Sequence, residues 1–209
     1  MNWTEITNYL AANWMEDAGF LTTVIGIWLT TRRKLICWPV VLISDVLYLI
    51  VFYRVQLYSD ALLQIFFLVF TLYGWWYWWR GVREEGEVRV VRLQPASLLI
   101  GLAAGAVGGF ALGFVMKQIP GTALPFLDAM LTSYSLVASW WAARKHIANW
   151  WLWIAVDLVY IGEYIYKNLR LTAGLYALLV ALAVLGLRDW RRALSQVSES
   201  RPGAPIILN

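Results

Sequence analysis

The chain has 209 residues, 61% of them hydrophobic and only 14% charged, with a mean hydropathy of +0.61 and a formal net charge of +4. A soluble domain of this length could not bury that much apolar surface behind a polar exterior, so a soluble globular fold is excluded. Single residues of cysteine (Cys37) and histidine (His146) exclude an internal disulfide, a cysteine-based zinc site and HExxH-type metal chemistry.

Taken in chain order, residues 1–17 form a polar start with Trp3, Ile6, Leu10 and Trp14 spaced for one face, an amphipathic interfacial segment. Glu5, Glu16 and Asp17 and the lack of a basic first stretch exclude a cleaved signal peptide. Apolar blocks then predict membrane-spanning helices at 18–31, 36–53, 59–80, 95–117, 124–143, 149–167 and 170–187, separated by breaks such as "TTRRK" and "AARKH". They lack two-residue alternation, which leaves helices and not a barrel. Residues 193–209 read as a disordered tail. Seven spans alternate sides, which puts 13 of the 17 Lys and Arg on one side and 4 on the other. The positive-inside rule then sets the N-terminus outside and the C-terminus in the cytoplasm. Basic residues at span ends are a membrane pattern and do not call for nucleic acid.

A shift of 112 residues aligns the two ends without a gap. Trp28 meets Trp140, Arg32 meets Arg144, Trp38 meets Trp150, Asp45 meets Asp157, Tyr48 meets Tyr160, Gly74 meets Gly186 and Trp78 meets Trp190. Residues 28–80 hold 11 identities in 53 positions, against roughly four from composition, the mark of a duplicated architecture. The reading is an all-α polytopic protein: a three-helix bundle at 18–80, a linker with one helix at 81–123, and a second bundle at 124–192. One helix between two triplets keeps both in the same orientation. Such a parallel 3+1+3 repeat is an arrangement of transporters, whose sites lie near the midplane. Gly101, Gly105, Gly109 and Gly113 line up small residues on the linker helix for close helix packing.

Polar groups inside apolar spans are costly and should face inward. Trp150, Trp153, Asp157, Tyr160 and Tyr164 share one helical stripe, and Trp38, Asp45 and Tyr48 share its counterpart. Gln64, Thr71 and Trp75 lie on one face of 59–80, and Thr132, Ser135 and Ser139 on one face of 124–143. The expected result is a central cavity walled by aromatics with two carboxylates, suited to a flat and cationic ligand. Trp76 and Trp79 read as an interfacial belt, His146 as a solvated loop residue, and Glu163 as a residue off the stripe.

The segments "CWPV" (37–40), "LYSDALLQIFF" (57–67), "YGWWYW" (73–78), "NWWLWIAVDLVYI" (149–161) and "YKNLRLTAGLY" (166–176) resemble the PnuC family of bacterial vitamin-precursor transporters, from about Gly19 to Arg192. That resemblance implies a fold similar to SWEET sugar transporters and facilitated uptake of nicotinamide riboside, or of thiamine or riboflavin in relatives. It implies an inner-membrane location, trapping of the product by a cytoplasmic kinase, and a homotrimer for which the Gly101–Gly113 face is the candidate contact. The implied substrate contacts are Trp38, Asp45, Gln64, Trp75, Trp150, Trp153 and Asp157, to which the inward faces add Ser139, Asn149 and Tyr160. The chain departs from the family's nicotinamide riboside carriers at Ala138-Ser139-Trp140, where those read Ala-Gln-aromatic. It departs again at Ala148-Asn149-Trp150, where they read Glu-Asn-Trp.

Two other classes compete. A membrane enzyme would need a metal-ligand cluster or a catalytic base that the sequence does not offer. A membrane sensor would use the same pocket for binding without flux. No cofactor or metal is expected.

Overall fold

Seven helices make up the described part of the chain: α1 (Trp3–Thr31), α2 (Cys37–Arg54), α3 (Tyr58–Glu85), α4 (Pro95–Met116), α5 (Pro125–Ala143), α6 (Ala148–Tyr166) and α7 (Arg170–Ser200). This computed structural model describes residues 3–54, 56, 58–86, 88–119, 124–166 and 168–200. Pro95 and Pro125 open α4 and α5 at positions where a missing N–H costs nothing. By length and composition, Cys37–Arg54, Asp60–Glu84, Pro95–Met116 and Thr172–Gln196 are each able to cross a membrane. α5 and α6 have 19 residues each, or about 28 Å, close to the thickness of a hydrocarbon core.

Two boundaries differ from expectation. α1 is one continuous helix of 29 residues, so residues 3–17 run into the span expected at 18–31 without a break. The polar Glu16-Asp17 step lowers hydropathy there, but it contains no residue that breaks a helix. At the other end, α7 continues through Ser200. Residues 193–200 are therefore helical and not a disordered tail, and Ala193 is buried on the core; residues 201–209 lie outside the described set.

The packing order closes a ring. α1 touches α2, α2 touches α3, α3 touches α5, α5 touches α6, α6 touches α7, and α7 returns to α1. α2 and α6 stand on opposite sides of this ring, and α4 sits outside it against α5. The glycine stripe is what brings α4 so close. A methyl group added at Gly101, Gly105, Gly109 or Gly113 would collide with Trp141, Tyr134, Met130 or Phe126 of α5, respectively. The small face is thus spent within the chain and is not free to contact another copy, contrary to the expectation from the resemblance. The outward face of α4 is the exposed one, with Leu99, Ile100, Val107 and Phe110.

Positions 112 residues apart adopt the same local structure. Arg33 (φ 56°) and Lys145 (φ 64°) are both left-handed, as are Gln56 (φ 62°) and Asn168 (φ 60°), and these four residues end α1, α5, α2 and α6. After the first turn, Lys34 N–H donates to Leu29 (3.1 Å) and His146 N–H to Trp141 (2.8 Å), again matched positions. The tryptophans follow the same rule. Trp38 meets Trp78 edge-on at 5.2 Å and 84°, and Trp150 meets Trp190 at 5.4 Å and 89°.

The linker between α3 and α4 is anchored to the ring. Val88 and Val90 are buried in the tryptophan core, and Val91 pairs with the α5–α6 turn. Val91 N–H donates to Lys145 O at 3.0 Å, and Ile147 N–H donates to Val91 O at 3.1 Å.

Candidate functional site

Along the ring axis the side chains singled out in the sequence separate into three layers. The first is a tryptophan layer near the arginine-rich helix ends. Trp38, Trp78, Trp190 and Trp150 touch in that order, with 5.9 Å between the ring centres of Trp78 and Trp190 at the middle. Trp78 and Trp190 are fully buried and use their indole N–H groups structurally. Trp78 Nε1–H donates to Ala143 O at 3.2 Å, and Trp190 Nε1–H donates to Thr30 O at 3.1 Å. Trp78 therefore ties α3 to the end of α5, and Trp190 ties α7 to the end of α1.

Trp38 and Trp150 are buried too, each lying over a glycine, Gly74 and Gly186, where any side chain would collide with the ring. Their Nε1 atoms have no hydrogen-bond partner, and neither does Oδ1 of the buried Asn149. Asn149 does donate through Nδ2 to His146 O at 2.6 Å, closing the first turn of α6. Trp75 and Trp153 pack against this cluster from its edge. Orphaned donors in a dry interior cost free energy, and two in matched positions suit a ligand that accepts hydrogen bonds.

The second layer holds the carboxylates. Asp45 lies seven residues after Trp38, about 10 Å deeper along α2. It is 8% exposed, and its Oδ2 accepts a 2.6 Å hydrogen bond from the Thr71 hydroxyl of α3. Asp157 occupies the matched place on α6 and is 4% exposed. Outward neighbours such as Ile43, Val46, Leu158 and Val159 are exposed and apolar. The acids therefore face the ring interior from opposite walls, as the stripe predicts. Ser139 is satisfied locally, its hydroxyl donating to Ser135 O at 2.9 Å.

The third layer is aromatic again. Tyr48 stacks on Phe52 (5.8 Å), and their counterparts Tyr160 and Tyr164 stack likewise (5.9 Å). Tyr176 of α7 joins the second pair, 4.7 Å from Tyr160 and 5.1 Å from Tyr164. Sequence reading missed Tyr176, yet the 112-residue register marks it, since it aligns with Gln64. Gln64 itself has a buried Oε1 without a partner. The ten residues do not form one contact cluster: Trp38, Trp75, Trp150 and Trp153 meet in the tryptophan core, and Asp45, Asp157 and Tyr160 lie further along their helices. Cavities of about 690 and 210 Å³ open elsewhere, and none of the ten lines them.

Three further residues sit where the sequence did not put them. His146 is buried, not solvated. Burial first and Arg144 second hold its pKa down near 4, so the ring is neutral at physiological pH. Glu163 is buried as well, although it lies off the stripe. Lys145 is buried with its ammonium over Tyr77, 5.0 Å from the ring centre. Trp76 and Trp79 are exposed, each capped by a guanidinium (Arg80 and Arg83), as an interfacial belt requires. Among the described residues no group of His, Cys, Asp or Glu could hold a metal ion.

The nicotinamide mononucleotide transporter family model matches residues 13–192. The nicotinamide riboside transporter PnuC of Escherichia coli is 26% identical over 203 residues, with 85% of each chain covered. The riboflavin/roseoflavin transporter RibM of Streptomyces davaonensis is 30% identical over 215 residues, covering 98% of this chain and all of that one. A crystal structure of the vitamin B3 transporter PnuC superposes with a TM-score of 0.72 at 22% identity, over 92% of this chain and 87% of the other. That superposition gives the fold, and these relatives are transporters and not enzymes. With most of its length matched, the chain is a multi-pass membrane protein that belongs to the nicotinamide mononucleotide transporter family, together with the PnuC carriers.

Proposed function

We propose that the protein imports nicotinamide riboside by facilitated diffusion, exposing a midplane site alternately to the two sides of the bacterial inner membrane. In this reading all seven helices span, as two parallel three-helix repeats (α1–α3 and α5–α7) joined by α4, with the N-terminus outside and the C-terminus in the cytoplasm. The matched turns, tryptophan pairs and closed ring support the repeat. The observation that carries the function is the pair Asp45 and Asp157, buried on opposite walls between aromatic layers. A cationic pyridinium ring sandwiched there would gain both stacking and charge attraction. Rocking of one repeat against the other would move access past that fixed point. Phosphorylation by a cytoplasmic kinase would keep the product inside and so set the direction of net flux. A homotrimer, where formed, would meet through the outward apolar face of α4.

A second reading is riboflavin uptake. It is favoured by the RibM relative, which aligns over nearly the whole chain, and by Ser139, whose short side chain leaves more room than glutamine would. Thiamine is the remaining alternative of the same class. Quenching of intrinsic tryptophan fluorescence in the purified protein separates these. Nicotinamide riboside is expected to quench saturably at micromolar concentration, with riboflavin and thiamine at least tenfold weaker. Preferential quenching by riboflavin would replace the first reading with the second.

A further inference from the structure

Outside the ring interior, a cavity of about 690 Å³ opens at the arginine-rich end between the start of α4, the start of α6 and the end of α7. Its walls include Arg92, Leu98, Ile147, Trp151, Arg191 and Leu194, and no acidic residue lines it. From this we infer a binding site for the phosphate headgroup of an anionic phospholipid, with one acyl chain lying over the apolar wall.

The two guanidinium groups are held in place from opposite sides. Arg92 follows directly on Val91, whose N–H and carbonyl are both bonded to the α5–α6 turn, so Arg92 extends from a fixed backbone. Among the described residues it has no ion-pair partner. Arg191 lies with its guanidinium 5.0 Å from the ring centre of Trp151, which orients the planar fork without neutralising it. α4 begins three residues after Arg92 with no side-chain cap on its first turn, which adds the positive end of a helix dipole. Two planar cations and a helix start converging on one opening are chemistry for a phosphate.

The rest of the wall decides the source of that phosphate. Leu93, Leu98, Ile147 and Leu194 would give a soluble anion nothing. They continue instead into the exposed apolar faces of Leu99 and Trp151, which lie where lipid chains run. A headgroup anchored at the arginines would cover that strip with its own acyl chain, and basic pockets between spanning helices favour this type of lipid.

The test is native mass spectrometry of the full chain released from detergent with phosphatidylglycerol or phosphatidylcholine at equal concentration. The wild type is expected to retain one phosphatidylglycerol with at least tenfold preference. R92Q/R191Q is expected to lose that preference, while R32Q/R188Q, which alters the separate 210 Å³ cavity between α1 and α7, keeps it. Should R92Q/R191Q fail to fold, Ser195→Glu at the exposed rim brings a carboxylate to the headgroup and is expected to abolish the preference. Equal retention of both lipids, persistence of the preference in R92Q/R191Q or in Ser195→Glu, or its loss in R32Q/R188Q would overturn the site. Displacement of the lipid by an equal concentration of soluble glycerol phosphate would overturn the lipid as its occupant.

Discussion

Trp190→Ala is expected to destabilise the protein by about 3–5 kcal/mol, the range for removing a buried aromatic side chain. Trp190 is fully buried, touches both Trp150 and Trp78, and donates to Thr30 O across the junction between α7 and α1. Its removal opens a cavity at the centre of the tryptophan layer and takes away one of the two donors to that carbonyl, which Arg33 N–H still bonds at 3.0 Å. Trp78→Ala should cost a similar amount, because Trp78 makes the equivalent bond to the end of α5. Trp190→Phe keeps most of the volume and loses mainly the hydrogen bond, worth about 1 kcal/mol. Thermal unfolding in detergent ranks the three: the alanine variants should melt well below the phenylalanine one. Wild-type melting of both alanine variants would mean that the tryptophan layer does not hold α3 to α5 and α7 to α1.

Asp157→Asn is expected to lower nicotinamide riboside uptake at least tenfold, equivalent to about 1.4 kcal/mol of lost interaction, with no loss of fold. Asparagine matches aspartate in shape, and neutralising a carboxylate in a buried position removes a desolvation cost. Asp45→Asn should also fold, since its amide oxygen can still accept the Thr71 hydroxyl that now reaches Oδ2. The substrate's charge makes the comparison sharper. Nicotinamide riboside carries a positive ring, whereas riboflavin is neutral, so any riboflavin flux should change by less than about threefold. Uptake of both compounds by proteoliposomes carrying each variant reads this directly. Normal uptake of the cation by Asp157→Asn, combined with easier unfolding, would make the aspartate structural.

The helices were legible because apolar runs mark where a chain enters lipid. Their full lengths were not. Hydropathy reports the medium around a helix, and α1 and α7 both continue beyond the apolar part, at Trp3–Asp17 and Arg188–Ser200. Helical periodicity put Trp38 and Asp45 on one face, and Trp150 and Asp157 on another, and all four are buried. It says nothing about depth, and so it joined in one pocket residues that the ring separates by about two helical turns. A stripe of small residues announces close packing but not its partner, which is why α5 could not be named as the cover for Gly105 and Gly109. His146 looked solvated among basic neighbours. The Val91 segment that pairs with it comes from 55 residues earlier in the chain, a contact no local pattern encodes.

The matched pairs also explain why the sequence repeat is so sparse. Identity persists where a residue is doubly constrained: Trp78 and Trp190 by packing plus a hydrogen bond, Gly74 and Gly186 by an overlying ring. Asp45 and Asp157 are the buried charged identities, which apolar packing does not require, and the proposed function therefore assigns them to the substrate.

Counterflow tests that assignment most directly. Proteoliposomes preloaded with unlabelled nicotinamide riboside, with no ion gradient or membrane potential, are placed in trace labelled substrate. The expected result is transient accumulation of label above equilibrium, suppressed by excess external nicotinamide riboside and abolished in Asp45→Asn/Asp157→Asn. Saturable binding without any counterflow would contradict a carrier and leave a sensor in its place.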